Sequence, residues 1–255
     1  MGLYKDEYLA YTADGKARMV STYMASDLHP SFTYWECDSG CTDTAANWVP
    51  VQLYPHDDPI GFALDPQGRP RALVWDSGWS DPAPGIVQDT YNYVWCDADC
   101  LTAANWHAST IGTPTGEVPD LYQQAETRLA IDGTGRPYVA YHYNDAYDAN
   151  NGLRWYYCAQ GCQADGDNSA NWQRQYVETT DTLEASDPVA VAPGWMVSRW
   201  SEPGRYPRLA FDAADNVMVV YGNEHLQART KSQSDPTMEY LTDLMLARLR
   251  LLSRP

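Results

Sequence analysis

Three observations predict an all-β fold of β-propeller blades, each of four antiparallel strands, with about three complete blades and one incomplete. A C-x-x-x-C pair followed by Ala-Asn-Trp occurs three times. A Leu-Ala-x-Asp-like hairpin precedes each copy and occurs a fourth time without cysteines. Few stretches carry helical periodicity. A recurring supersecondary unit at a period near 60 residues is the signature of a repeat architecture, and four strands per unit is the arithmetic of a propeller.

The first element reads Leu9-Ala10-Tyr11-Thr12-Ala13-Asp14-Gly15-Lys16, then Phe62-Ala63-Leu64-Asp65-Pro66-Gln67-Gly68-Arg69. It returns as Leu129-Ala130-Ile131-Asp132-Gly133-Thr134-Gly135-Arg136 and as Leu209-Ala210-Phe211-Asp212-Ala213-Ala214-Asp215-Asn216. Apolar residues alternate up to a turn in which Gly135 supplies a positive φ, so two strands flank it. In the third unit the second strand covers Tyr138–Tyr143, with residues that favour a pleated surface. The third covers Leu153–Cys158 and the fourth begins near Trp172. The approximate units are 8–60, 61–126, 127–206 and 207–255 of a single domain spanning 1–255. Tyr240–Leu251 reads as a helix or as an apolar final strand, which pattern alone does not separate.

The cysteine pairs are Cys37/Cys41, Cys96/Cys100 and Cys158/Cys162. We read each as a local disulfide closing the corner between third and fourth strands. A zinc site needs four converging ligands, usually with C-x-x-C spacing, and no His keeps a constant offset from the pairs. Disulfides imply an oxidising compartment: periplasm, cell surface or outside the cell. Trp48, Trp106 and Trp172 are expected at equivalent buried positions that open the outer strands.

Composition narrows the partners. The 255 residues carry 17 Lys and Arg against 34 Asp and Glu, a formal net charge of −17. Nucleic acid and anionic membrane surfaces are excluded as partners because both need basic residues. No window approaches 18 apolar residues, so no membrane-inserting helix is expected. The start, Met1-Gly2-Leu3-Tyr4-Lys5-Asp6, lacks the basic and apolar parts of a signal peptide, which leaves a mature form or a fragment of a longer chain. Tyr (19) and Trp (10) far outnumber Phe (3), a usage that suits half-exposed strands and sugar-facing surfaces.

The hairpin, aromatic strand, Cys-Asp-x-x-Cys and Asn-Trp together resemble bacterial secreted repeat proteins of the sialidase-like propeller type, over most of residues 8–230. In that superfamily an Asp-box, Ser-x-Asp-x-Gly-x-x-Trp, turns the third strand into the fourth. The resemblance implies that the cysteine loop stands in its place and that Trp48, Trp106 and Trp172 match the box tryptophan. There are departures. No true Asp-box and no Arg-Ile-Pro motif is present. Arg128 and Arg208 open equivalent inner strands, but the first two units lack that arginine, and ion pairs between blades explain it better than carboxylate binding does. No spacing singles out a Tyr–Glu nucleophile pair or an acidic proton donor.

In a propeller the loops joining second to third strands share one face with those joining blades. The first class holds Trp79, Asp81, Tyr143 and Asp145. The second includes the longest insertion, 178–207, with Trp195, Arg199, Trp200 and Arg205. Aromatics beside polar groups suit a sugar by stacking plus hydrogen bonds; the plain alternative is that they pack as covers on the blade ends. No cofactor is expected. Ca²⁺ is the one ion the acid-rich loops could suit, although hairpin turns explain the Asp-x-x-Gly elements.

Two functions from different classes follow. One is an extracellular, non-catalytic binding propeller for a glycan or protein, with a homo-oligomer as a way to complete the ring. The other is a sialidase-like glycoside hydrolase or lyase with two carboxyls roughly 5–10 Å apart at the central channel. Catalysis would break the repeat symmetry, and the insertion is the marked asymmetry; Glu178, Glu184 and Glu202 are its acids of first interest.

Overall fold

The structure, a computed structural model, describes residues 3–24, 30–55, 57–76, 91–112, 127–143, 152–179, 196–212, 214–230 and 236–248, in some strand stretches through the backbone alone. Among these residues the regular structure is β-strand with short 3₁₀ turns.

The first blade is a four-stranded antiparallel meander in the order β1 (Leu3–Tyr11), β2 (Ala17–Met24), β3 (Pro30–Cys37) and β4 (Val49–Pro55). The second repeats it with β5 (Asp57–Leu64), β6 (Pro70–Asp76), β7 (Tyr91–Cys96) and β8 (Trp106–Gly112). The third comprises β9 (Arg128–Ile131), β10 (Pro137–Tyr143), β11 (Gly152–Cys158) and β13 (Trp172–Thr179). A two-residue strand, β12 (Gly166–Asp167), pairs in parallel with β8 as a fifth strand of the second sheet. The last sheet has three strands, β14 (Met196–Phe211), β15 (Val217–Thr230) and β16 (Pro236–Arg248). Tyr240–Leu251 therefore resolves as strand up to Arg248.

The insertion at 178–207 is not wholly a loop. From Met196 onward its residues belong to β14, which pairs with β15 through bulges between Pro203 and Arg205 and between Arg205 and Arg208. Pro203 and Gly204 fall at the first of these bulges. Here the bulges absorb them, as expected for proline within a strand.

All four hairpins between first and second strands use one turn. The residue at Asp65, Asp132 or Asp212 (Thr12 in the first copy) accepts from the N–H three residues on and donates to the C=O four residues on, at 2.8–3.0 Å. The fourth turn position is left-handed: Gly15 at +84°, Gly68 at +77°, Gly135 at +86° and Asp215 at +57°. This is the three-residue hairpin loop that ends in a bulge, and its fourth position favours glycine.

By compactness the described chain divides into two units: 1–118 with 129–138 and 157–173, and 119–128 with 139–156 and 174–255. In the first, the core lies where the face of β5–β8 carrying Phe62, Ala72, Val94 and Ala108 meets the face of β1–β4 carrying Tyr8, Val20, Tyr34 and Val51. In the second, Tyr141 and Tyr156 stack at 5.4 Å and 6°, and Val217, Val219 and Tyr221 of β15 are buried.

Candidate functional site

The best-described polar constellation is the end of the blades formed by the hairpin turns and the cysteine loops. All three cysteine pairs are disulfides, Cys37–Cys41, Cys96–Cys100 and Cys158–Cys162, each with Cα atoms 5.7–5.8 Å apart. Within each loop the residue before the second cysteine is left-handed: Gly40 at +62°, Asp99 at +51° and Gly161 at +66°. The repeated asparagine closes the corner. Asn47 Nδ2 donates to the Gly40 carbonyl at 2.8 Å, Asn105 Nδ2 to that of Asp99 at 3.2 Å, and Asn171 Nδ2 to that of Gly161 at 3.3 Å.

The tryptophan next to it binds the same loop and the preceding blade. Trp48 Nε1 donates to the Cys41 carbonyl at 3.0 Å and Trp106 Nε1 to that of Cys100 at 2.7 Å. Trp106 stands edge-on to Phe32 at 5.9 Å and to Tyr34 at 5.0 Å; Trp172 meets Tyr93 at 5.5 Å. Both are 7% exposed. Trp48 departs from the expectation of equivalent burial. It is half-buried, and among the described residues no tyrosine ring meets it as Tyr34 meets Trp106 and Tyr93 meets Trp172. Trp172 has no such bond to its cysteine loop among the described residues. It follows Cys162 by ten positions, whereas Trp106 follows Cys100 by six, and the extra length includes β12.

A second network joins the hairpin turn to the cysteine loop. Arg71, 1% exposed, places Nη2 at 2.6 Å from Asp65 and 2.7 Å from Asp97, while Nη1 donates to the Cys96 carbonyl at 2.8 Å. Arg18 repeats this with Asp38 at 2.9 Å and the Cys37 carbonyl at 3.4 Å. In the third blade both partners change together: Tyr138 replaces the arginine and Ala159 the aspartate, and the Tyr138 hydroxyl donates to Asp132 at 3.2 Å. The joint replacement is a signal visible in the repeats alone, apart from the turns and the cysteines.

The turn aspartates are committed too. Asp132 Oδ1 accepts from the Thr134 and Arg136 N–H groups at 2.9 Å, and Oδ2 from Arg136 Nε at 2.6 Å. Burial pushes this carboxyl's pKa up, and these donors together outweigh it and hold it below the usual 3.8. Donation from Thr12 lowers Asp14, and donation from Ser169 lowers Asp167. A carboxylic acid that donates a proton near neutrality needs its pKa raised instead. Asp65 and Asp212 accept from their turns at the same positions. The Asp-x-x-Gly elements are thus hairpin turns whose carboxylates face their own backbone. Among the described residues no three His, Cys, Asp or Glu side chains converge as a metal site.

Two clefts open between the first two blades at this end. One, of about 460 Å³, is lined by Arg18, Tyr34, Glu36, Arg69, Asp99 and Leu101. The other, of about 540 Å³, is lined by Tyr11, Asp14, Lys16, Asp65 and Gln67 among others. Their cations are already paired: Lys16 with Asp14 at 3.3 Å, Arg69 with Asp65 at 2.7 Å and with Asp97 at 3.3 Å.

Of the residues expected to meet a ligand, Trp79, Asp81, Asp145 and Trp195 lie outside the described residues. Tyr143 ends β10. Arg199, Trp200 and Arg205 sit on β14 in register with Gln227, Leu226 and Gly222, and of these four only the backbone is described. Arg128 and Arg208 each turn a guanidinium N–H onto the carbonyl of the preceding residue, at 2.6 and 3.0 Å.

No family model and no curated protein matches this chain. Among solved structures it is similar to a thermostable family-43 glycoside hydrolase, at 10% identity and a TM-score of 0.45 over 92% of this chain and 74% of that one. It is also similar to an ulvan lyase of polysaccharide lyase family 25, at 10% identity and a TM-score of 0.46 over 93% of this chain and 55% of that one. Among the described residues the chain is all-β, with three propeller-type blades that each carry a five-residue disulfide loop and a last, three-stranded sheet without one.

Proposed function

We propose that this chain is an extracellular, sialidase-like binding propeller without hydrolytic turnover, and that its ligand is a glycan or a protein. One observation carries the reading. The polar residues that recur from blade to blade are held by their own turn and cysteine loop, and the carboxyls of Asp14, Asp132 and Asp167 are shifted down, away from acid–base work near neutrality. The repeats thus maintain a scaffold. Its ligand face belongs to the loops and ribbon that differ between copies, with Trp79, Asp81, Tyr143, Asp145, Trp195, Arg199, Trp200 and Arg205 as the contact residues. Three disulfides fit display outside the cell or in the periplasm, and among the described residues no helix is long and apolar enough to cross a membrane.

A glycan array read beside a turnover screen of aryl glycosides and sialosides tests this. Binding weakened at least tenfold by Trp200→Ala, with no turnover, is the expected result. Turnover that vanishes in Glu178→Gln, Glu184→Gln or Glu202→Gln overturns it in favour of a glycoside hydrolase.

A further inference from the structure

We infer that the outer face of the first blade is a self-association surface that receives the last sheet of a second copy of this chain. The inference is independent of the proposed ligand. In the second blade, the row Phe62, Ala72, Val94 and Ala108 lies across four strands and is covered by the first blade. Strand register places Leu9, Met19, Trp35 and Pro50 at the same positions of the first blade. That row is open. Leu9 is 52% exposed and Tyr11, two residues along the same strand, is 60% exposed. Met19, Trp35 and Trp48 are only half-buried. Ala72 and Val94, by contrast, are fully buried.

The repeats also identify what covers such a face. Its partner in the described interface is the opposite face of a blade, which receives the tryptophan of the next one: Tyr34 and Phe32 receive Trp106, and Tyr93 receives Trp172. Those receiving faces are therefore in use. The three-stranded last sheet carries a face of the same type on Arg208, Ala210, Met218 and Val220. Arg208 and Ala210 are exposed, and Met218 and Val220 are half-buried. Leu244 and Leu246 are the register partners of Gly222 and Val220 on β16. One copy thus presents two different, complementary surfaces. A contact between them is heterologous, and it closes a ring if the rotation permits.

Sedimentation of the full chain up to about 100 µM, in about 0.5 M salt to screen its negative charge, is the experiment. The wild type should form a dimer or larger species. The double variant Leu9→Asp with Tyr11→Asp should raise the dissociation constant at least 100-fold while leaving the melting temperature of the dilute protein unchanged, since both side chains are exposed. Ala210→Asp, on the proposed receiving face, should produce the same loss. A wild type that stays monomeric throughout overturns the inference. So does association that survives the double variant, or that the double variant abolishes and Ala210→Asp leaves intact.

Discussion

Trp106 and Trp48 hold the same place in successive repeats but in different surroundings, so truncating each isolates what the neighbouring blade contributes. Trp106 is 7% exposed, stands against Phe32 and Tyr34, and donates to the Cys100 carbonyl at 2.7 Å. Trp106→Ala removes a buried ring and one hydrogen bond, a loss of about 3–5 kcal/mol. For a chain of this size that lowers the melting temperature by roughly 10 °C. Trp48 keeps the loop hydrogen bond at 3.0 Å but is half-buried, so Trp48→Ala should cost about 1–2 kcal/mol. Denaturant midpoints at constant slope report both values. They are measured at high dilution, where the first blade's outer face is uncovered. Equal losses, or a larger loss at Trp48, would refute the idea that the preceding blade's tyrosine makes the difference.

Arg71→Ala strips Asp65 of a buried partner and should cost about 3 kcal/mol. Arg71→Tyr combined with Asp97→Ala imports the third blade's pairing, and a double-mutant cycle should recover about 1–3 kcal/mol of coupling. Asp215→Gly, at φ +57°, should raise stability by roughly 0.5–1 kcal/mol, whereas Gly135→Ala at +86° should lower it by about 1–2 kcal/mol in thermal melts. The Asp132 pKa lies below 3.8 in the folded protein, so its contribution is complete above that value and is lost as pH falls through the folded pKa. Acid titration of Asp132→Asn should therefore show lower stability at neutral pH and a shallower decline below about pH 4.

The parts of the fold legible in the sequence are those set within a few residues. The turn at Asp132–Arg136, the cysteine corners and the strands around them follow from local chemistry and recur often enough to be recognised. What depends on a neighbour is hidden. Trp48 and Trp106 sit in the same motif, and the rings of Phe32 and Tyr34 against Trp106 separate them. The parallel pairing of Gly166 and Asp167 with Ser109 and Thr110 has no local signature. The insertion 178–207 reads as a loop joining blades, and the pairing of its residues from Met196 onward with β15 depends on a partner strand that lies outside it. The candidate ligand face follows from propeller topology alone: Trp79, Asp81, Asp145 and Trp195 lie outside the described residues, and Arg199, Trp200 and Arg205 are described by backbone only.

The short reach of the disulfides bears on how the chain oxidises. Six cysteines allow fifteen pairings. Each native partner is four residues away, while the first cysteines of successive blades are 59 and 62 residues apart. Closing the shorter loop instead of the next longer one is favoured by about 2 kcal/mol, roughly 40-fold in local concentration. Native pairing is therefore the fast pairing, and each bridge can form as soon as its own corner is exposed to oxidant. Scrambled isomers should be rare even where no isomerase is present, so a truncated chain carrying one blade can oxidise as faithfully as the whole.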